Sequence, residues 1–200
     1  THNGLEFSIN GQRSRIDLNH FSKGKSVIVY GQTEITIDLI STHIGSGGEI
    51  IFNADNVLPN KFDTSKPNIT YQHNNINYQL NCDFIAGCDG FHGVSRSQIP
   101  IKDQTIFERK YPYAWLGILA EAPPPSNELI YATHERGFAL FSMRPPSRSR
   151  SYLQCSPDLD LNKWPDTRIW DELQTRLGSK TESPVCEGKI LAKGVTPMRS

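Results

Sequence analysis

The chain opens on an alternating pattern. Leu5-Glu6-Phe7-Ser8-Ile9 sends apolar side chains to one face, Asn10-Gly11 supplies two positions that tolerate positive φ, and residues 12–18 return. That predicts a β-hairpin closed by a type I′ turn. Ser26-Val27-Ile28-Val29-Tyr30 reads as a compact β-branched strand. It runs into Gly31-Gln32-Thr33-Glu34 and then a helical spacing, with Ile35, Leu39, Ile40 and Ile44 on or near one face. Gly45 is placed to end that helix in the left-handed conformation. Residues 49–53 read as the next strand, so 26–53 has β-α-β character.

Residues 54–68 turn polar, with Pro59, Pro67 and several Asn and Asp, and predict a surface loop. A second hairpin is expected over 69–73 and 76–80, around Asn74-Asn75. Asp83-Phe84-Ile85-Ala86-Gly87-Cys88 reads as a short buried strand delivered onto Asp89-Gly90. Further strands are expected at 105–111, 115–121, 128–133, 137–143 and 151–155. A last helix is expected from about Pro165 to Leu177, with Gly178 beyond its end. The fold class is mixed α/β: a β-α-β piece of a nucleotide-binding layer joined to a strand-rich, mainly antiparallel part.

Composition narrows the function classes. Among 200 residues, Lys+Arg and Asp+Glu each number 21, so the net charge of zero removes the electrostatic case for nucleic acid or an anionic membrane as partner. The longest apolar run, Trp115-Leu116-Gly117-Ile118-Leu119-Ala120, is far short of the ~20 residues that cross a bilayer. No secretion signal opens the chain, which reads as soluble and cytoplasmic. Both ends lack the polar character of natural termini, so the chain reads as the interior of a longer protein. Cys82, Cys88, Cys155 and Cys186 form no C-x-x-C pair. His92 follows Cys88 without a second ligand pair, so zinc is disfavoured and buried, reduced thiols are expected.

Few residues carry candidate chemistry. Gly45-Ser46-Gly47-Gly48 follows a helix and precedes a strand, the reverse of a dinucleotide fingerprint, so a helix cap and turn is expected. Cys88-Asp89-Gly90-Phe91-His92-Gly93-Val94-Ser95-Arg96 is open to two readings. Its small residues would let backbone approach a ligand, with Asp89 accepting from ribose-type hydroxyls; or Asp89 is simply a cap in a strand-to-helix turn. Arg144, Arg148 and Arg150, beside Ser142 and Tyr152, form either a solvated face or a carboxylate clamp. Residues two apart share a face, which would align Ser142 with Arg144 and Arg150 with Tyr152. Tyr131 is a core tyrosine or a partner for a phenolic hydroxyl. His20, His43, His73 and His134 are scattered and support no hydrolase triad.

At Cys88-Asp89-Gly90-Phe91-His92-Gly93 the sequence resembles the single-component FAD-dependent aromatic hydroxylases. Residues 12–18, Val29-Tyr30-Gly31-Gln32-Thr33-Glu34, 109–116, 128–140 and 148–152 agree in collinear order. The Asp-Gly motif alone points to the wider family. With Tyr131, Ser142, Arg144 and Tyr152 it resembles the branch acting on 4-hydroxybenzoate. The family's N-terminal Gly-rich fingerprint and later Gly-Asp motif are absent, so the chain resembles the middle half of such an enzyme.

The resemblance implies a substrate-domain hairpin at 1–25, part of a Rossmann-like FAD domain at 26–104, and a substrate domain at 105–200. It implies hydroxylation of 4-hydroxybenzoate to 3,4-dihydroxybenzoate with FAD, NADPH and O₂, in a homodimer, the isolated piece being inactive. Arg144 would clamp the substrate carboxylate, helped by Ser142 and Tyr152, while Tyr131 would hydrogen-bond the phenol and draw off its proton. Gln32 and Asp89 would contact FAD, and His92, Arg96 and Arg199 would help hold NADPH. Arg150 would lie near the flavin. Ser151 stands where an aromatic residue is expected, and Pro145-Pro146 stiffens the segment after Arg144. The alternatives are a hydroxylase of another phenol, such as 3-hydroxybenzoate, and a non-catalytic ligand-binding domain.

Overall fold

The computed structural model describes residues 1–143, 147–178 and 185–199. The chain divides into two compact units. Unit 1 is Thr1–Tyr30 with Glu108–Ser200, and unit 2 is Gly31–Phe107.

Unit 1 begins with β1 (Gly4–Ile9) and β2 (Gln12–Asp17), antiparallel, with Asn10 at φ 48° and Gly11 at φ 81° in the turn. Those paired positive values are what a type I′ connection requires. A short helix α1 (Leu18–Phe21) follows, capped by Asp17. Unit 2 holds helix α2 (Gln32–Gly45) and strands β3 (Asp55–Asn60), β4 (Asn68–His73) and β5 (Ile76–Asn81), a three-stranded antiparallel sheet in that order. The rest of unit 1 is β6 (Lys110–Glu121), β7 (Leu129–Thr133), β8 (Ala139–Met143), β9 (Ser149–Cys155), helix α3 (Asp166–Leu177) and β10 (Lys189–Arg199).

The seven strands of unit 1 form one sheet in the order β10-β6-β9-β8-β7-β1-β2. Every pairing is antiparallel except β1 with β7. Period-two alternation assigns the two faces. On β6, Ala114, Leu116, Ile118 and Ala120 are buried while Tyr113, Trp115, Gly117 and Leu119 are half-buried. The buried set joins Ile130, Ala132, Phe141 and Leu153 beneath Ile169, Trp170, Leu173 and Leu177 of α3. Helix α3 therefore covers one face and leaves the other open.

Beneath α3 lies an ionic network in which Glu172 and Arg176 are buried and Arg136 is exposed. Glu172 accepts from Arg176 Nε at 2.7 Å and from Arg136 Nε at 3.0 Å and Nη2 at 2.5 Å. Arg176 also donates to the carbonyls of Gln154 (2.8 Å) and Phe138 (3.3 Å), fastening α3 to β9 and the start of β8. Burial would push the Glu172 carboxyl up, but the hydrogen bonds from Arg176 and Arg136 outweigh it and the pKa is lowered.

Several sequence expectations are corrected. Residues 26–30 form no strand; only Val27 pairs, through a bridge to His2. Residues 49–53 end in a turn with Asn53 at φ 53°, and 83–88 run outside any ladder with Phe84 exposed. All three have strand-like composition, but a strand exists only through its partner's hydrogen bonds, and no described strand forms a ladder with them. Conversely, the polar stretch expected to be a loop contributes β3, where Pro59 sits opposite Ile69 on a sheet edge that tolerates a missing N–H. Residues 105–109 are not strand, and what remains of the strands expected at 105–111 and 115–121 merges into β6.

The helix cap is also shifted. Gly45 is the last helical residue, and Gly47 (φ 85°) takes the left-handed position. Gly47 N donates to Ile44 O and Gly48 N to His43 O, a Schellman closure, so this cluster is a cap and turn. The thiols are not uniformly buried: Cys88 and Cys186 are exposed, Cys82 and Cys155 half-buried, and none is in a disulfide. Burial pushes the Cys155 thiol pKa up.

Candidate functional site

The open face of the unit 1 sheet collects the residues expected to meet a substrate. Register places Phe7, Tyr131, Leu140, Tyr152, Gly117 and Gly194 side by side in one row across six strands. The neighbouring row on the same face is Ser142, Arg150, Leu119 and Ala192. Tyr131 and Tyr152 are two strand spacings apart, about 10 Å, with Leu140 as an apolar floor between them. Ser142 is buried, and the Arg150 guanidinium lies over the Tyr152 ring at 5.1 Å from its centroid.

The Tyr131 ring is held from two sides. Phe7 stacks on it at 5.7 Å and an interplanar angle of 23°, and Phe138 stands at 6.3 Å, tilted by 54°. Beside Tyr152, a hollow of about 380 Å³ opens over Gly117 and Gly194 and is bordered by Arg150 and Lys193. A Cβ added to Gly117 would come within 3.5 Å of the Tyr152 ring. Arg144, the expected carboxylate clamp, lies outside the described residues. Arg199 is at the end of β10, 3.9 Å from the Glu108 carboxylate.

The Asp-Gly loop belongs to unit 2. Asp89 Oδ2 accepts from the backbone N–H of Ser95 at 2.8 Å, folding the loop around its carboxylate. That backbone bond, helped by the Ser95 hydroxyl, holds the Asp89 pKa below the usual carboxylate value. The loop leaves no room for a side chain at Gly93, where a Cβ would fall 2.0 Å from Asp89 Cγ. Asp89 borders a hollow of about 680 Å³ with Val57, Leu58, Ile69, Ile85 and Val94. A second, of about 380 Å³, adds Phe62, Arg96 and Ile99. His92 and Arg96 flank Phe91, at 4.9 Å edge-on and 5.1 Å over the ring. Gln32 is the first residue of α2 and is exposed. A carboxylate, a cation and small residues around an apolar hollow form a donor set that fits a nucleotide's ribose and phosphates beside a flat ring system.

The model of the FAD binding domain family matches residues 1–200. This chain belongs to the FAD-binding domain family. Among curated relatives, it is 42% identical over 199 residues to the p-hydroxybenzoate hydroxylase of Acinetobacter baylyi, covering all of this chain and 49% of that protein. The chain thus spans about half the length of the relative it matches. Among solved structures, the flavin-dependent monooxygenase PieE aligns over 100% of this chain and 38% of its own, at TM-score 0.69 and 12% identity. Aklavinone-11 hydroxylase aligns over 98% and 40%, at TM-score 0.67 and 13% identity. At that identity the structural matches speak for the FAD-binding-domain fold alone.

Sequence reasoning missed Phe7, Leu140 and the Gly117–Gly194 pair as parts of this face. Alternation on β7, β8 and β9 could have found Leu140. Nothing local could have found Phe7, because its neighbour Tyr131 is reached through a parallel pairing between segments more than a hundred residues apart.

Proposed function

We propose that the chain is part of an FAD-dependent monooxygenase that hydroxylates 4-hydroxybenzoate to 3,4-dihydroxybenzoate, with NADPH as reductant and O₂ as oxidant. The observation that carries this reading is the row on the open sheet face: Tyr131 at one end, Tyr152 at the other, Leu140 between, and Ser142 and Arg150 alongside. Two polar ends about 10 Å apart over an apolar floor suit a para-substituted aromatic acid. The 42% identity to a p-hydroxybenzoate hydroxylase supports the same reading.

In this reading residues 1–25 and 105–200 form the substrate domain and 26–104 part of the FAD domain. The Tyr131 hydroxyl accepts a hydrogen bond from the substrate's phenol and relays its proton, passing its own hydroxyl proton on to solvent as it takes the substrate's, with Phe7 and Phe138 fixing the ring plane. Ser142 and Tyr152 hydrogen-bond the substrate carboxylate, and Arg144 pairs with it. Gln32 and Asp89 hold FAD, His92, Arg96 and Arg199 bind NADPH, and Arg150 stands near the flavin. When bound, the flavin takes hydride from NADPH and activates O₂ for transfer to the ring carbon beside the phenol. The protein supplies placement, phenol deprotonation and exclusion of water. The whole protein works as a cytoplasmic homodimer, while the 200 residues alone are inactive because the FAD site is incomplete.

The test is NADPH oxidation by the complete open reading frame with 4-hydroxybenzoate, 3-hydroxybenzoate or no addition, with the product identified by chromatography. Oxidation stimulated by 4-hydroxybenzoate, with matching 3,4-dihydroxybenzoate, is expected. Stimulation by 3-hydroxybenzoate alone reassigns the substrate. No FAD and no turnover make the protein a binding domain. Tyr131→Phe should lower kcat by about 10²-fold or more while KM moves little, since a proton acceptor is lost and the ring is kept.

A further inference from the structure

We propose that the open sheet face of unit 1 carries an aromatic electron relay, which drains one-electron oxidising equivalents from Tyr131 to Tyr113 and Tyr111. Successive ring centroids are 6.3 Å apart from Tyr131 to Phe138, 5.7 Å to Trp115, 5.8 Å to Tyr113 and 5.7 Å to Tyr111. Every step lies within the range of direct ring-to-ring contact. Tyrosine and tryptophan are the side chains that give up one electron most readily. Phe138 does not, and serves as the contact that couples Trp115 to Tyr131.

Packing alone does not call for this arrangement. The hydrophobic core lies on the opposite face under α3, and all five relay residues are only half-buried. Alternation on β6 puts Tyr111, Tyr113 and Trp115 on the same face, followed by Gly117, so the rings lead in one direction from the Tyr131 row. The chain of rings reaches solvent at Tyr113, which forms a wall of a groove of about 690 Å³ with Arg136, Cys155 and Trp164 where a soluble reductant can reach it, and Tyr111 extends the chain by one further ring.

The electron balance closes with two named reactants. An oxygen-centred radical, of the hydroxyl or peroxyl class, takes one electron and one proton from the Tyr131 phenol. Trp115 returns an electron through Phe138, Tyr131 regains a proton from water, and the indole N–H proton leaves to solvent. The vacancy passes in the same way to Tyr113 and Tyr111. A soluble thiol then gives up one hydrogen atom, restoring the phenol and becoming a thiyl radical. The net change is one radical reduced and one thiol oxidised, with every ring returned to its starting state.

The relay rests on the proposed monooxygenase reading only for the natural source of the oxidant, so its test supplies one from outside. The 200-residue chain is flash-oxidised with ruthenium tris(bipyridine) and a cobalt(III) acceptor in the presence of glutathione, and tyrosine oxidation is mapped by peptide mass spectrometry. Trp115→Phe and Trp115→Tyr make nearly the same change in packing, and only Tyr can carry the electron. Oxidation at Tyr131 should rise severalfold in Trp115→Phe and fall at Tyr113 and Tyr111, while Trp115→Tyr keeps the parent distribution. If the two variants behave alike, whether like the parent or unlike it, the relay is refuted. Absence of hydroxylated product in the NADPH assay would refute the monooxygenase reading and leave this result unchanged.

Discussion

Units 1 and 2 draw on similar raw material and use it differently. Both carry hairpins, β-branched runs and one multi-turn helix. In unit 1 helix α3 buries Ile169, Trp170, Leu173 and Leu177 against a seven-stranded sheet. In unit 2 no residue of α2 is buried, and Ile37, Leu39 and Ile44 are each more than half exposed. Every residue of the buried hydrophobic core belongs to unit 1. Local propensity is enough to write a helix, but a stable one needs a surface to cover. Unit 2 thus exposes apolar side chains beyond the scattered few of a finished surface, in keeping with the proposal that it is part of a larger FAD domain.

The largest expected effect tests what fastens unit 1. Glu172→Ala leaves Arg176 buried without its carboxylate and should cost about 3–5 kcal/mol, measured by urea unfolding. All three tryptophans, Trp115, Trp164 and Trp170, lie in unit 1, so their fluorescence follows that unit alone.

Next comes a matched pair of truncations. Leu173→Ala in the core should cost about 2–5 kcal/mol, whereas Leu39→Ala in α2 should stay within about 0.5 kcal/mol. Amide exchange can follow each helix separately. Equal costs would mean that α2 is packed as α3 is, and the contrast between the units would disappear.

Acid should discriminate in the same direction. The Glu172 pKa is lowered by folding, so its contribution is fully present above the ordinary value of 4.5 and is lost as pH falls through the depressed folded value. Glu172→Gln should flatten the acid limb of unit 1's stability curve, and an unchanged slope would remove Glu172 as its cause. The smallest expected effect is in unit 2. Gly47→Ala forces a Cβ onto a left-handed residue and should cost about 1 kcal/mol, read as faster amide exchange in the last turn of α2.

What the sequence determined by itself was local. Asn10-Gly11 and Asn74-Asn75 dictated their hairpin turns because positive φ is a property of those residues, and all four adopt it. Pro165 and Gly178 marked the two ends of α3, and the Asp-Gly motif identified the wider family, whereas the buried face of α3, Ile169, Trp170, Leu173 and Leu177, was set by the sheet beneath it. The strand-like runs at 26–30, 49–53 and 83–88 were legible only as composition. Whether such a run becomes a strand is decided by a neighbour that shares its hydrogen bonds, and the described chain supplies none beyond the bridge at Val27.

The candidate site divides in the same way. Tyr131, Ser142, Arg150 and Tyr152 could be named from the sequence, because their types suit a phenol and a carboxylate. That they share one face, in adjacent rows, was decided by the register of β7, β8 and β9. That Phe7 stacks on Tyr131 was decided by the one parallel pairing in the sheet. Side-chain chemistry and turn preference travel with the residue, and a sequence states them outright. Register and burial are relations between distant segments, and only the folded chain fixes them.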